Sequence, residues 1–167
     1  MTEPAAAVTL VHHVAVEIAA PADAVWRVIL DEYVEATKFR ETGYAIEPID
    51  DACAVLGGYR MRFERDGAVV DDRICQITER DDAARRLSMF ADYLSVPGGM
   101  QVFATYHAQD VAGGCRYALD CHSRLGAEAL AAGGGDIAAA VAGAAAQARA
   151  ALIGYLENIK ARIEGGG

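Results

Sequence analysis

Two aspartates, Asp71 and Asp72, stand side by side in the stretch ERDGAVVDDRIC, which otherwise alternates as a β-strand does. Adjacent strand residues face opposite sides of a sheet. One carboxylate therefore meets water, and the other meets whatever the sheet covers. A carboxyl group turned inward among apolar side chains must find a partner or shift its pKa upward, and such groups gather at sites of proton transfer. The neighbouring turn predicts the facing, because Asp66-Gly67 is the signature of a two-residue type I′ hairpin. Unbroken pairing from that turn sets Arg65 against Ala68, Phe63 against Val70, Met61 against Asp72 and Tyr59 against Ile74. Asp72 then shares a face with Tyr59, Met61, Phe63, Val70 and Ile74 and is the expected general acid or base. Asp71 falls opposite Arg62 on the solvated face, an ion pair worth a few tenths of a kcal/mol. The competing structural reading bonds Asp72 to a nearby hydroxyl or backbone amide.

The same parity points to partners. His12 is the single polar residue on the apolar face of VTLVHHVAVEI and is the expected second catalytic group, although a histidine so placed is more often a satisfied core residue. Tyr93 and Tyr106 lie on apolar faces, where they can hydrogen-bond a ligand oxygen or fill the core. Tyr44, Tyr59, Met61 and Phe63 on the early strands are expected ligand contacts. Met89, Tyr93, Tyr106 and Leu152 complete that set. His107, Asp120, His122 and Arg124 read as a polar outer surface.

Other chemistries find little support. His12 and His13 point apart and no paired-Cys spacing occurs, so no metal site is expected. The three serines lack a G-x-S-x-G elbow, and the glycine runs lack the strand–loop–helix context of a phosphate cradle, so no cofactor is expected. A net charge of −9 argues against nucleic acid and anionic membranes. The alanine-rich stretch near the C-terminus is broken by Gln147 and Arg149 and does not read as a membrane span. The start lacks a secretory pattern, and four cysteines without a CxxC pair suit reduced thiols, so the expected location is the cytoplasm. A homodimer is left open.

These residues must be carried by recognisable elements. The 167 residues, 53% hydrophobic and 23% charged, make one domain with expected tails at 1–6 and 164–167. The periodicity predicts a strand over Val8–Ile18, then a helix opened by Pro21 and Asp23 with a stripe of Val25, Trp26, Ile29 and Leu30. A second short helix or turn follows between Asp31 and Phe39. Six strands are expected near Tyr44–Pro48, Val55–Arg65, Ala68–Glu79, Arg85–Leu94, Gln101–Val111 and Cys115–Leu125. Their joints are turn-rich and too short for parallel crossovers. GGGD at Gly133–Asp136 then leads, with Asp136 as N-cap, into a long helix whose first half is nearly all alanine and glycine. Trp26 and Leu152 are the expected core anchors.

This order resembles the helix-grip fold of the START-like (SRPBCC) superfamily, which includes the birch-pollen allergens, and within it the polyketide cyclase/dehydratase-like branch. The resemblance is carried by VEIAAPADAVWRVILD, DDRICQITERDDAARRLSMF, VPGGMQVFATYHAQDVAGGCRYAL and the closing ARAALIGYLENIKARIE. The branch often shows an acidic-Arg-aliphatic step on the second strand of the central hairpin, here Asp72-Arg73-Ile74. The resemblance implies an α+β fold, with a curved seven-stranded antiparallel sheet around a long C-terminal helix and two short helices after the first strand. A cavity between helix and sheet would hold a small hydrophobic, aromatic or polyketide-like molecule, entered past Arg40–Tyr44 and Ser95–Met100. The function it implies is a cofactor-independent cyclisation, dehydration or lyase-type reaction. The alternative is a non-catalytic carrier or sensor.

Overall fold

A computed structural model of the chain describes residues 7–49, 56–126, 128, 129 and 136–166. The elements in chain order are β1 (Ala7–Ile18), α1 (Ala22–Tyr33), α2 (Thr37–Glu41), β2 (Ala45–Pro48), β3 (Gly58–Arg65) and β4 (Ala68–Asp81). They are followed by β5 (Arg86–Tyr93), β6 (Met100–Val111), β7 (Gly114–Gly126) and α3 (Ile137–Gly165). All seven strands pair antiparallel in the order β1-β7-β6-β5-β4-β3-β2. This is the helix-grip architecture. The Asp50-Asp51 joint, the glycines of GGGD and the first six residues lie outside the described residues.

The inner face of the sheet carries the core. Its rows follow the register: Val14, Leu119, Tyr106 and Leu87 in one, and His12, Cys121, Ala104, Met89 and Ile77 in the next. α1 covers this face because Ala22, Val25, Trp26 and Ile29 recur at helical spacing and are all buried. Trp26 is a core residue as expected, and its indole Nε1 donates to Asp82 at 3.3 Å.

The long helix is anchored at one end only. Leu156 and Ile159 are buried, whereas Leu152, expected as an anchor, is only half-buried. Upstream of it, Ala140, Val141, Ala144, Ala145 and Ala148 form a half-buried stripe, because side chains this small cannot fill the space down to the sheet. Asp136 caps the helix, accepting the Ala138 N–H at 2.9 Å. At the other end the helix runs into the span expected as a tail, whose last residue, Gly167, lies outside the described residues. The Glu164 carboxylate accepts the Ala19 N–H at 2.8 Å and keeps the helix wound to Gly165. By length and composition α3 is apolar enough to cross a membrane, and none of its apolar window is buried. Its last turns are tied to β1 as well, since Lys160 Nζ donates to the Glu17 carbonyl at 2.8 Å.

Candidate functional site

The hairpin that sets the facing of the two aspartates begins as expected. Asp66 and Gly67 both take positive φ, 53° and 77°, as a type I′ turn requires, and Arg65 opposes Ala68. The pairing then slips. Glu64 opposes Val69, Phe63 opposes Asp71 and Arg62 opposes Asp72, leaving Val70 as the extra residue of a β-bulge. The residues of β4 from Asp71 to Ile77 are turned over relative to unbroken pairing, until a second slip at Thr78.

The inward residues of β4 are therefore Asp71, Arg73, Cys75 and Ile77, which meet Phe63, Met61 and Tyr59 across the β3 ladder and Met89 on β5. The assignment of Asp72 and Ile74 to the inner face is corrected, and so is that of Asp71 to the solvated one. The physical reason lies at both ends of the strand. Val69 and Val70 are exposed at a hairpin tip that no core constrains, while Cys75 and Ile77 are core residues that fix the parity lower down.

Asp72 is nonetheless well covered on the outer face, at 9% exposure. Arg60 Nε and Nη2 donate to its two carboxylate oxygens at 2.8 and 2.6 Å. Its N–H donates to Ser95 Oγ at 3.1 Å, which ties one expected entrance loop to the strand. The Arg60 hydrogen bonds hold the Asp72 carboxyl below its usual range, against the opposing pull of burial.

On the inner face Asp71 is not alone. Arg73 Nε donates to Asp71 Oδ1 at 2.8 Å and Nη2 donates to Oδ2, while Tyr44 Oη donates to Oδ2 at 2.8 Å. The guanidinium stacks over Tyr93, 4.4 Å from its ring centroid. Burial, the largest single influence, would lower the Arg73 pKa, but the hydrogen bonds to Asp71, its negative charge and the neighbouring Tyr93 and Tyr44 together outweigh it and hold the group charged, above the ordinary arginine value.

Arg73 and Tyr93 form the polar end of a cavity of about 70 Å³ between sheet and helices. Met61, Cys75 and Met89 wall one side, Ala91, Val102 and Ala104 make its floor, and Tyr33, Phe39 and Tyr106 close the other end. Of the expected ligand contacts, Met61, Met89, Tyr93 and Tyr106 line this space. Tyr59 is buried beside it, Phe63 and Tyr44 stack at 5.1 Å near its Asp71 end, and Leu152 does not line it. Burial pushes the Tyr93 and Tyr106 hydroxyls above the ordinary phenol value, so both stay protonated at neutral pH and act as donors. Burial likewise pushes the Cys75 thiol up to about 11.

Sequence reading missed a second polar cluster behind Tyr33. Glu32 of α1 is 1% exposed, and Tyr155 Oη donates to its Oε2 at 2.6 Å. Tyr117 lies 3.1 Å from the Tyr155 hydroxyl, and Lys38 Nζ and Arg162 Nη2 stand 2.9 and 3.5 Å from Glu32 Oε1. The signal was present: Glu32 follows Ile29 by three residues and Val25 by seven, so it occupies the next place in the apolar stripe.

The outer face carries the expected polar residues, with Val11 and Phe103 exposed beside His122. His13 Nδ1 lies 2.5 Å from Asp120 Oδ1, and His122 and Arg124 are on its surface. A depression there of about 510 Å³, bordered by Glu79, Arg86, His107 and Asp120, is larger than the inner cavity but open and mostly polar. The inner one is the better ligand site, since apolar walls with a few convergent polar groups mark such sites.

The chain matches the family described as polyketide cyclase / dehydrase and lipid transport over residues 10–164. It belongs to that family. Among solved structures it is similar to norcoclaurine synthase from Thalictrum flavum in complex with dopamine and hydroxybenzaldehyde. That pair has 18% identity and a TM-score of 0.55, with 74% of each chain covered. It is also similar to the Mll3558 protein from Rhizobium loti, at 15% identity and a TM-score of 0.61, covering 91% of this chain and 98% of that one. DynU16, from the dynemicin biosynthetic locus, aligns over 94% of this chain and 48% of its own, at 16% identity and a TM-score of 0.57. A sequence search of curated proteins found no match. At these identities the solved structures establish the fold, and the family supports binding of a small hydrophobic ligand.

Proposed function

We propose that this family member binds a small aromatic or polyketide-like molecule with one end in the inner cavity and acts on a carbonyl of that molecule without a cofactor. One observation carries this reading: a charged arginine, Arg73, lines an otherwise aromatic and aliphatic cavity. Asp71 engages Nε and Nη2, which leaves the Nη1 group to donate to a ligand oxygen. In a water-poor site such a donor stabilises the negative charge that develops on a carbonyl oxygen during enolisation, cyclisation or loss of water. Tyr93 and Tyr106, neutral at pH 7, supply protons. The roles first expected of Asp72 pass to this group, because Asp72 faces away.

The second reading is a carrier. It is favoured by the lining, which among the described residues includes tyrosines and an arginine but no carboxylate or histidine. The free thiols of Cys75, Cys115 and Cys121 fit a cytoplasmic location in either case.

Extraction and mass spectrometry of whatever the purified protein retains is the test. The compound, returned to the protein, should yield a product of equal mass or one lighter by water, and Arg73→Gln should lower that turnover about 10²-fold or more. A compound that binds and comes back unchanged would establish the carrier.

A further inference from the structure

The outer face of the sheet has a relief that is complementary to itself. We propose that two copies of this chain pack face to face through it, about a two-fold axis that crosses β6 between Phe103 and Thr105. The inner cavity takes no part in this contact, so the dimer and the ligand site stand or fall separately.

Strand parity sends His12 inward, at 6% exposure, and leaves Val11 and His13 on the outer face. From Val11 the register runs to His122 on β7, Phe103 on β6 and Phe90 on β5, one unbroken row across neighbouring strands. Phe103 is 55% exposed and Val11 50%, and the Phe103 ring leans on Phe90 with centroids 4.8 Å apart. Beside that ring lies a hollow of about 120 Å³, rimmed by Ser88, Thr105, Asp120 and His122. It is on the scale of the roughly 150 Å³ cavity that accepts benzene. The polar depression of about 510 Å³ continues from it past His107 and Ala118. A projecting ring and a hollow side by side on one surface are what a self-complementary, isologous contact requires.

Their spacing fixes the axis. A rotation about an in-plane line across the strands, midway between Phe103 and Thr105, puts each Phe103 into the hollow of the other copy. Sheets stacked face to face keep their strands within about 30° of each other, so the strands next to β6 lie over their own counterparts, reversed. On β5 that sets Asp92 against Arg86 of the second copy, because both lie two residues outside the Phe90–Ser88 pair. On β7 it sets His122 against Asp120 of the second copy and passes Arg124 over the small Ala118. The donors and acceptors are free to meet. Arg86 gives Nε and Nη2 to Glu79 of its own chain, leaving Nη1 for the incoming Asp92, and Asp120 engages His13 through Oδ1, leaving Oδ2. An axis along β7 would instead oppose Arg124 to Arg124 and Asp120 to Asp120, and like charges so placed are repulsive.

A contact of five strands by seven residues measures roughly 24 Å by 24 Å, or about 1,100 Å² over both copies, at the lower end of interface sizes. The net charge of −9 on each copy opposes the approach. The dimer is therefore a weak one, with a dissociation constant in the micromolar range.

Sedimentation equilibrium of the full chain, from micromolar to millimolar protein, is the test. The average mass should rise from one chain toward two, and Phe103→Asp should stay monomeric throughout. Asp92→Arg and Arg86→Asp should each weaken self-association about tenfold or more, since each sets like charges together on both sides of the axis. An equimolar mixture of those two variants should recover it, because unlike charges then meet at both places. In ¹⁵N-labelled parent protein, the amide resonances that move on dilution should belong to β5, β6 and β7. A parent that remains monomeric at millimolar concentration overturns the proposal, and so does a dimer that survives Phe103→Asp. A dimer that Phe103→Asp abolishes but the mixture does not recover overturns the placement of the axis. Should a variant not fold, the resonances of the parent decide, and movement confined to other elements sinks the interface.

Discussion

The two faces of β4 each carry an aspartate–arginine pair built from the same chemistry, and the pairs differ in what surrounds them. On the outer face Asp72 is bonded by Arg60, whose side chain is 43% exposed, and the pair caps the strand near the Ser95 loop. On the inner face Asp71 is bonded by Arg73, whose side chain is 23% exposed and stacks on Tyr93 at the cavity wall. The first pair lies beside the Ser95 loop, while the second puts a cation at the wall of the cavity. The lesson is that residue type alone does not make a site: one added residue, Val70, decides which of two adjacent carboxylates becomes structural.

Removing that residue should have the largest effect. Deletion of Val70 restores unbroken pairing, turns Asp72 and Ile74 inward and sends Arg73, Cys75 and Ile77 outward. We expect a loss of more than about 3 kcal/mol in urea unfolding, since core residues become exposed and charges are buried without their partners. Retention of the parental stability would show that the bulge does not set the facing. Next comes the inner pair. Asp71→Asn leaves a mostly buried guanidinium without its counterion and should cost about 1–3 kcal/mol, with ligand binding weakened in the same protein.

The inner face should also show in alkaline solution. The Cys75 thiol ionises near 8.5 when unfolded and near 11 in the fold, so its contribution is complete below about pH 8.5 and is lost as the pH rises toward 11. Cys75→Ala should flatten that decline by up to about 2 kcal/mol, read from unfolding curves across the range. The smallest effect belongs to the outer pair. The folded pKa of Asp72 is depressed, so its stabilisation is present above the unfolded value near 3.9 and disappears as the pH falls through the folded one. Asp72→Asn should therefore be slightly less stable than the parent at pH 7 and equal to it in strong acid, with ligand binding intact. A loss of binding as large as that of Asp71→Asn would erase the distinction between the faces.

Much of this molecule is local in origin and so is legible in the amino-acid order alone. The alternation of VTLVHHVAVEI, the Asp66-Gly67 turn, the Pro21 helix start and the Asp136 cap are each decided within a few residues, and each appears as expected. The inward positions of Tyr59, Met61, Met89, Tyr93 and Tyr106 follow from parity on strands whose register does not slip before them. Parity fails on β4 because a bulge leaves no mark in composition: Val70 is as good a strand residue as its neighbour Val69. Glu32 escapes sequence reading for a different reason. Its partners come from two other elements, α2 and the distant α3, and no window of the chain contains Lys38, Tyr155 and Arg162 together.

The sequence by itself determined the elements, their antiparallel order and the small-residue half of α3, because periodicity, turn chemistry and side-chain volume are properties of short segments. Only the tertiary structure decided which aspartate faces the cavity, which tyrosines meet Glu32 and how far the last helix docks. Those outcomes depend on packing between segments distant in the chain, where the burial of Cys75 and Ile77 outweighs the preference of a short exposed hairpin tip for straight pairing.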